Sequence, residues 1–385
     1  MNNTYHTYHT SHSWPITSLL KELKLKVIRQ IVDGLETKGF WIPDEEYSQI
    51  LQFRKEQANI IRQRLITPAL GEADDSILNS PSLFGPNKDF AFNISTPIIF
   101  GHDIGNILYG QWAPDGDKRR RVTDLCALFN FGITLFDRVC DFYKTNPKVF
   151  SNIFGEQDLI DLFETPQGYI KVAESANYIV LSELRILLKV ICLFFLNLHQ
   201  LNAASCNPRD WANLKTMLVE AYRAQIQASF FNKYDFERQF DICRKKSTLP
   251  FLVMSQLCKV SGGGTASNAH SINVMSEIIA SIFWQLDDLV DITKDIQSED
   301  VNSVLLLAGD KYGTDSFSKE DFARLLLTGP DTEILVKDFC LQLADLFSSF
   351  NDGTDETVSG IQFSDLIKTY IRNWLPKRLF MNVHH

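Results

Sequence analysis

The sequence predicts an all-α fold. Its apolar residues recur mostly at the three- and four-residue spacing of amphipathic helices, and strand-like alternation bounded by hairpin turns is scarce. The chain has 385 residues, 45% of them hydrophobic, which is ample material for a large core. We therefore expect a single α-helical domain over residues 16–385, preceded by a polar, disordered tail at residues 1–15.

The apolar periodicity places the helices and the breaks between them. The predicted helices, in chain order, are residues 17–36, 43–66, 104–112, 119–145, 156–163, 169–201, 208–231, 233–258, 269–296, 300–311, 318–328, 332–350 and 361–374. Residues 67–101 carry four prolines and several Gly, Asn and Ser residues, so we expect an irregular excursion over the surface. The glycine-rich residues 261–265 predict a flexible connection.

Charge and composition narrow the class of protein. The net charge of −9 and the pI near 5.4 argue against a nucleic-acid partner, because binding phosphates over a broad surface requires excess Lys and Arg. The most apolar run, residues 186–198, is shorter than the roughly 20 residues that span a bilayer, so we expect a buried helix and no transmembrane segment. Seven scattered cysteines without a CxxC pair favour a reducing, cytoplasmic compartment.

A dense group of aspartates lies inside one predicted apolar helix. Asp287 and Asp291 are four residues apart and therefore stack on one helix face. Asp288 lies beside them, and Asp295 continues the acidic stripe one turn later. Because like charges in this register repel, the segment predicts a bound counter-ion.

A second acidic pair, Asp137 and Asp141, has the same four-residue spacing and follows the apolar run 125–136. Taken alone, this pair is interpreted equally well as a solvated helix face. Two such clusters on facing helices would instead form an oxygen-ligand site for Mg²⁺, completed by water and substrate phosphate. Neither cluster contains His or Cys, which argues against zinc.

These motifs resemble those of the class I isoprenoid synthases. Residues 285–291, Gln-Leu-Asp-Asp-Leu-Val-Asp, resemble the second aspartate-rich motif of polyprenyl synthases, and the segment from Asp295 to the leucines at 305–306 resembles the sequence that follows it. Residues 244–249, Arg-Lys-Lys-Ser-Thr-Leu, resemble the segment whose lysine binds diphosphate. The resemblance covers residues 100–310.

The first motif departs from the chain-elongating pattern, because Arg138 stands where those enzymes carry a second aspartate. Residues 135–141, Leu-Phe-Asp-Arg-Val-Cys-Asp, look like the motif of the bacterial large-terpene synthases, the class IB or tetraprenyl-β-curcumene synthase-like group. This favours cyclisation of one long chain over the joining of two short ones.

The resemblance implies a helical bundle around a central cavity and a terpene synthase that ionises and cyclises a long linear polyprenyl diphosphate, of C20 or C25, with release of diphosphate. It implies three Mg²⁺ ions bound with the diphosphate, and frequently a homodimer. The implied catalytic and metal-binding residues are Asp137, Asp141, Asp287, Asp288 and Asp291. The candidate diphosphate ligands are Lys246 first, then Arg223, Lys294, Arg372 and Lys377. Gly132 and Ile133, one turn deeper than Asp137, are the candidate chain-length residues.

Three alternatives remain open. Both acidic pairs fit the Asp-x-x-x-Asp pattern of head-to-head condensing enzymes, which join two prenyl diphosphates. A chain-elongating prenyltransferase would require isopentenyl diphosphate. A non-catalytic subunit with the same fold would bind a catalytic partner instead of turning over a substrate.

Overall fold

The computed structural model describes residues 16–78, 80, 83–84, 94–112, 118–202, 206–230, 236–262, 269–298, 301–312, 318–351, 357–358 and 361–375. Within these ranges the prediction of an all-α fold is confirmed, because helices account for nearly all the regular structure. The exception is one antiparallel pair of two-residue strands, β1 (Thr357–Val358) and β2 (Ile361–Gln362). The predicted tail lies outside the described residues.

The described residues form seventeen helices. They are α1 (Ile16–Thr37), α2 (Asp44–Leu65), α3 (Thr67–Leu70), α4 (Glu72–Leu78), α5 (Ser95–Trp112), α6 (Arg119–Phe142), α7 (Pro147–Ser151), α8 (Glu156–Glu164), α9 (Pro166–Asn177), α10 (Ser182–Asn202), α11 (Pro208–Phe230), α12 (Phe236–Gly262), α13 (Ala269–Ser298), α14 (Ser303–Tyr312), α15 (Lys319–Thr328), α16 (Asp331–Asn351) and α17 (Phe363–Trp374).

The prediction of an irregular surface excursion at residues 67–101 is wrong for the parts that the structure describes. Helices α3 and α4 occupy its first third, and α5 begins at Ser95, nine residues before the predicted start. Leu70, Leu78 and Ile98 are fully buried. The prolines misled the prediction, because Pro68 lies in a first helical turn, where a missing N–H removes no intrahelical hydrogen bond.

The single helix predicted at residues 169–201 is two helices. Helix α9 ends at Asn177 and α10 begins at Ser182, and the connection between them is exposed at Tyr178 and Val180. The Arg185 guanidinium Nη1 donates a 2.8 Å hydrogen bond to the carbonyl of Ile179. The break is therefore stabilised by a side chain from the following helix.

Helix α10 also contains the one segment of the described chain, Ser182–Leu201, that is long and apolar enough to cross a membrane. Core helices of soluble proteins meet the same criterion. In this fold α10 packs against α6 and α9, and Ile186, Leu187 and Val190 are fully buried.

Helix α6 lies at the centre of the core. It packs against α5, α10, α11 and α12, and every residue from 122 to 132 is buried. Gly101 and Gly105 of α5 face it with no room for a side chain, since a Cβ on Gly101 would lie 2.5 Å from the Cys126 carbonyl oxygen. The core continues outward from α6 as one hydrophobic cluster that includes residues from Leu19 to Leu375.

We expect Gly101→Ala to lower the free energy of unfolding by about 1 to 3 kcal/mol, because the new methyl group would force α5 away from the α6 backbone. Gly132→Ala is the matched control. Its Cβ would meet Val190 Cγ1 at an ordinary 3.5 Å, so alanine should be neutral or stabilising by up to about 1 kcal/mol. Urea denaturation measures both variants, and equal losses would contradict the close α5–α6 contact.

Candidate functional site

A cavity of about 260 Å³ lies between α5, α6, α11, α12, α13 and α17. Its polar wall contains Asp137 from α6, Lys246 from α12 and Asp287 from α13. Much of the remaining wall is aromatic and comprises Phe100, Phe251, Phe283, Trp284 and Trp374. Asp137, Asp287 and the leading diphosphate-ligand candidate, Lys246, thus line one cavity although they lie far apart in the sequence.

Lys246 forms the central ion pair of this cavity. Its Nζ lies 2.8 Å from Asp137 Oδ1, and the same oxygen accepts a 2.8 Å hydrogen bond from Gln225 Nε2. Burial opposes the charge on Asp137, but the Lys246 ammonium outweighs that effect and holds the pKa of the carboxyl below its ordinary value. Burial likewise opposes the charge on Lys246, and Asp137 and Asp141 together raise the pKa of the ammonium.

Among the described residues, Asp141 and Asp287 form no ion pair of their own, unlike Asp137 with Lys246 and Asp291 with Lys294. Burial, followed by the charge of Asp137, raises the pKa of Asp141 to about 6. Although Asp287 is exposed, desolvation by the surrounding protein, followed by the charge of Asp291, raises its pKa to about 6, and Asp137 across the cavity adds to the rise. The two clusters therefore repel one another through the cavity, and a cation between them would relieve that repulsion.

Asp288 has a structural contact of its own. Its carboxylate accepts a 3.0 Å hydrogen bond from the backbone N–H of Ser303 and a second one from the Ser303 hydroxyl, at the first residue of α14. Burial nevertheless raises the pKa of Asp288 to about 7. Asn302 Nδ2 donates at 2.8 Å to Asp295, so the acidic stripe of α13 also fixes the start of α14.

Asp291 and Lys294 lie one turn farther along α13. Lys294 Nζ is 3.2 Å from Asp291 Oδ2, and the Lys294 side chain is more exposed than that of Asp291. The charges of Lys246, Arg138 and Lys294 partly offset the rise in the pKa of Asp141 that burial and Asp137 cause. Lys294 is thus placed where its charge reaches both clusters.

Two predicted diphosphate ligands lie away from the cavity. Arg223 forms a bidentate ion pair with Glu156, with nitrogen–oxygen distances of 2.6 and 2.7 Å, and its side chain is 55% exposed. Arg372 is buried, pairs with Asp44 and lies over the Trp41 and Tyr47 rings. Lys377, another candidate diphosphate ligand, lies outside the described residues.

Two other residues of the same helices, Gln225 and Trp374, contact the acidic clusters, and the sequence did not predict them. Gln225 of α11 contacts Asp137, and Trp374 of α17 donates a 3.0 Å hydrogen bond from Nε1 to Asp287 Oδ1. Each lies two residues after a predicted arginine, about 200° around the helix. Leu218, Ala221 and Gln225 are buried and recur every three to four residues along α11. That spacing indicates which face of the helix points into the protein, and it includes Gln225.

A second, apolar cavity of about 70 Å³, the inner cavity, adjoins the first, and Ile133 lines both. Gly132 lines the inner cavity, opposite Val190, and aromatic side chains form much of its wall. These rings are Phe129, Phe136, Phe154, Phe194, Phe195 and Tyr222. The predicted chain-length residues therefore lie at the junction between a charged and an apolar space.

Helix α12 contains Pro250, which lines the cavity wall. Proline has no N–H, so the carbonyl of Lys246, four residues earlier, lacks its usual helical donor. Lys246 therefore supplies both the ammonium of the cavity and a backbone carbonyl oxygen that can accept a hydrogen bond.

The acidic residues fit magnesium only if an anionic substrate shares it. In the described chain no three Asp, Glu, His or Cys side chains are grouped closely enough to hold a metal ion by themselves. Mg²⁺ requires fewer protein ligands, because it keeps several waters and commonly binds one or two carboxylates together with substrate phosphates. The oxygen donors on the two walls suit that arrangement.

Comparisons with protein-family models, curated proteins and solved structures found no match for this chain. Any functional assignment therefore rests on the sequence and structure of this chain.

We expect Asp287→Asn to stabilise the fold near pH 8 and to have little effect near pH 4.5. The folded-state pKa of Asp287 is raised to about 6, so the free energy of unfolding falls as the pH rises from about 4 to about 6 and stays lower above that range. Removing the charge should restore on the order of 1 kcal/mol, after allowance for solvent screening.

Urea denaturation with a chelator at both pH values measures this effect. The matched control is Asp345→Asn, which changes an exposed carboxylate on α16. A gain for Asp287→Asn that is the same at both pH values would contradict the raised pKa.

Proposed function

We propose that this chain is a magnesium-dependent terpene synthase with the class I isoprenoid synthase fold. Its substrate would be a long linear polyprenyl diphosphate, of C20 or C25, which it ionises and cyclises with release of diphosphate. The supporting observation is that Asp137 and Asp287, from two different helices, line one cavity together with Lys246 and that an apolar cavity adjoins it at Ile133.

The charged end of the cavity suits the leaving group. Magnesium, held by Asp137 and Asp141 on one wall and by Asp287, Asp288 and Asp291 on the other, would supply Lewis-acid stabilisation of the diphosphate. Lys246 adds a positive charge, and its raised pKa keeps the ammonium protonated. The carbon–oxygen bond breaks with its electron pair moving to the diphosphate, so cations at this end lower the barrier.

Two neutral donors hold the carboxylates in position. Gln225 and Trp374 each donate a hydrogen bond to one cluster, to Asp137 and Asp287 respectively. Neither side chain adds charge, so they orient the carboxylates without competing with a cation. Such fixed donors limit the reorganisation needed when substrate binds.

The aromatic wall suits the carbocation that ionisation leaves behind. Phe251 and Phe283 stack at 5.7 Å between ring centroids, and Phe100 meets Phe283 edge to face at 5.0 Å. Ring faces attract a nearby cation through their quadrupole, and an apolar wall keeps water from capturing it. A folded prenyl chain could therefore react with itself before it reacts with water.

Incubation with C10 to C25 polyprenyl diphosphates, followed by analysis of the organic extract, tests the proposal. We expect a C20 or C25 substrate to yield a hydrocarbon or alcohol only when Mg²⁺ is present. Lys246→Gln should lower the rate by about 100-fold or more, because it removes the cation at the cavity wall. Lys245→Gln is the matched control, since Lys245 pairs with Asp241 on the surface and should leave the rate nearly unchanged.

Other outcomes separate the alternatives. Product that forms only with isopentenyl diphosphate would indicate chain elongation, and joining of two prenyl diphosphates would indicate head-to-head condensation. Absence of any Mg²⁺-dependent product would favour the non-catalytic subunit.

We expect Gly132→Leu to shift the preference toward shorter substrates. The new side chain would extend from the α6 wall toward Val190 and occupy the inner cavity, which is only about 70 Å³. Ile133→Ala should act in the opposite direction, because Ile133 lines both cavities and a smaller side chain there leaves more room for the prenyl chain. Relative rates with C10 to C25 substrates measure both variants, and an unchanged preference in both would contradict the chain-length role.

A further inference from the structure

A separate cavity of about 230 Å³ lies between α2, α5 and α17. Of the described residues, Thr96 alone lines both this cavity and the one that holds Asp137. The cavity wall includes two cations, Arg54 and Lys55, and its described lining contains no Asp or Glu. Its charge is therefore the reverse of that of the carboxylate site.

Arg54 is the central residue of this cavity and is only 4% exposed. Its Nη1 donates a 3.0 Å hydrogen bond to Asp103 Oδ1, and Tyr370 donates at 2.7 Å to the other oxygen of the same carboxylate. Within the described chain, Arg54 Nε and Nη2 have no hydrogen-bond acceptor although both atoms are buried. Buried donors without acceptors are rare and unfavourable, so this pair points to a ligand.

The two unpartnered nitrogens have a useful geometry. Nε and Nη2 lie on the same edge of the guanidinium, and that edge donates two parallel hydrogen bonds to an oxyanion. The ion pair with Asp103 uses the third nitrogen and so fixes the plane of the guanidinium. The free edge is therefore pre-oriented for bidentate binding.

Two further features add positive potential to the same cavity. Lys55, which is exposed, is the second cation of its wall. Ser95 and Thr96, the first two residues of the 18-residue helix α5, also line it. The first turn of a helix carries the positive end of the helix dipole, which favours an anion.

We propose that this cavity is a phosphate-binding site, in which Arg54 grips two oxygens through Nε and Nη2 and Lys55 and the start of α5 supply further positive charge. A free phosphate ion and the phosphate group of a small metabolite present the same chemistry to these residues. The site needs no metal, and it does not depend on the terpene synthase proposal.

Titration of inorganic phosphate into the full chain tests the site, by calorimetry, with a metal chelator present and with ionic strength held constant by chloride. We expect saturable binding of one phosphate per chain. Arg54→Lys should weaken phosphate binding by roughly tenfold or more, because lysine keeps the positive charge but cannot donate two parallel hydrogen bonds. Lys55→Gln should weaken binding as well, by removing the cation at the exposed end. Lys246→Gln, which changes the other cavity, should bind like the parent chain.

Absence of saturable binding would overturn the proposal, as would unchanged affinity in both Arg54→Lys and Lys55→Gln or loss of binding in Lys246→Gln. If Arg54→Lys does not fold, Lys55→Gln decides, because that residue is exposed and its substitution leaves the Arg54–Asp103 pair intact. A parallel titration with acetate tests the ligand class, and equal affinity for acetate would overturn the assignment to phosphate. Competition by glycerol 3-phosphate, tighter than inorganic phosphate, would identify a metabolite as the better ligand.

Discussion

The enclosure of α6 is the constraint on which the site depends. Because every residue from 122 to 132 is buried, α6 is exposed only in its first turn and then partly exposed again from Ile133 onward, where Asp137 lies. A carboxylate there cannot be solvated freely, so its charge requires partners from other helices. Lys246 and Gln225 supply them, and the packing that makes α6 a core helix thus also determines where the charged cavity forms.

The two cavities use opposite electrostatics in neighbouring parts of the fold. The first cavity has carboxylates from two helices around Lys246. Desolvation and repulsion between these carboxylates raise the pKa values of Asp141 and Asp287. The second gathers cations around a carboxylate, Asp103, that is already hydrogen-bonded by Arg54 and Tyr370. An anion-rich site attracts cations and a cation-rich site attracts anions, so their ligands should differ even though Thr96 contributes to both.

The sequence predicted the helices and the acidic clusters because those features repeat within one helix. Asp287 and Asp291 share a face whatever packs against it. The choice between Arg223 and Gln225, or between Arg372 and Trp374, depended on which face of a helix meets a partner 87 or 88 positions away along the chain. Local periodicity says little about such distant pairings. Residues 67–78 were misjudged for another reason, since proline is common both in loops and at helix starts.

The hydrogen bond from Trp374 to Asp287 joins the last described helix to the middle of the acidic site. A chain is synthesised from its N-terminus, and its earlier parts can fold while the rest is still being made. Asp137 and Asp287 would both be present well before α17 is translated, yet the cavity would still lack one aromatic wall and one carboxylate donor. A ribosome-bound nascent chain that ends before α17 should therefore contain most of the core around a site that is still open to water.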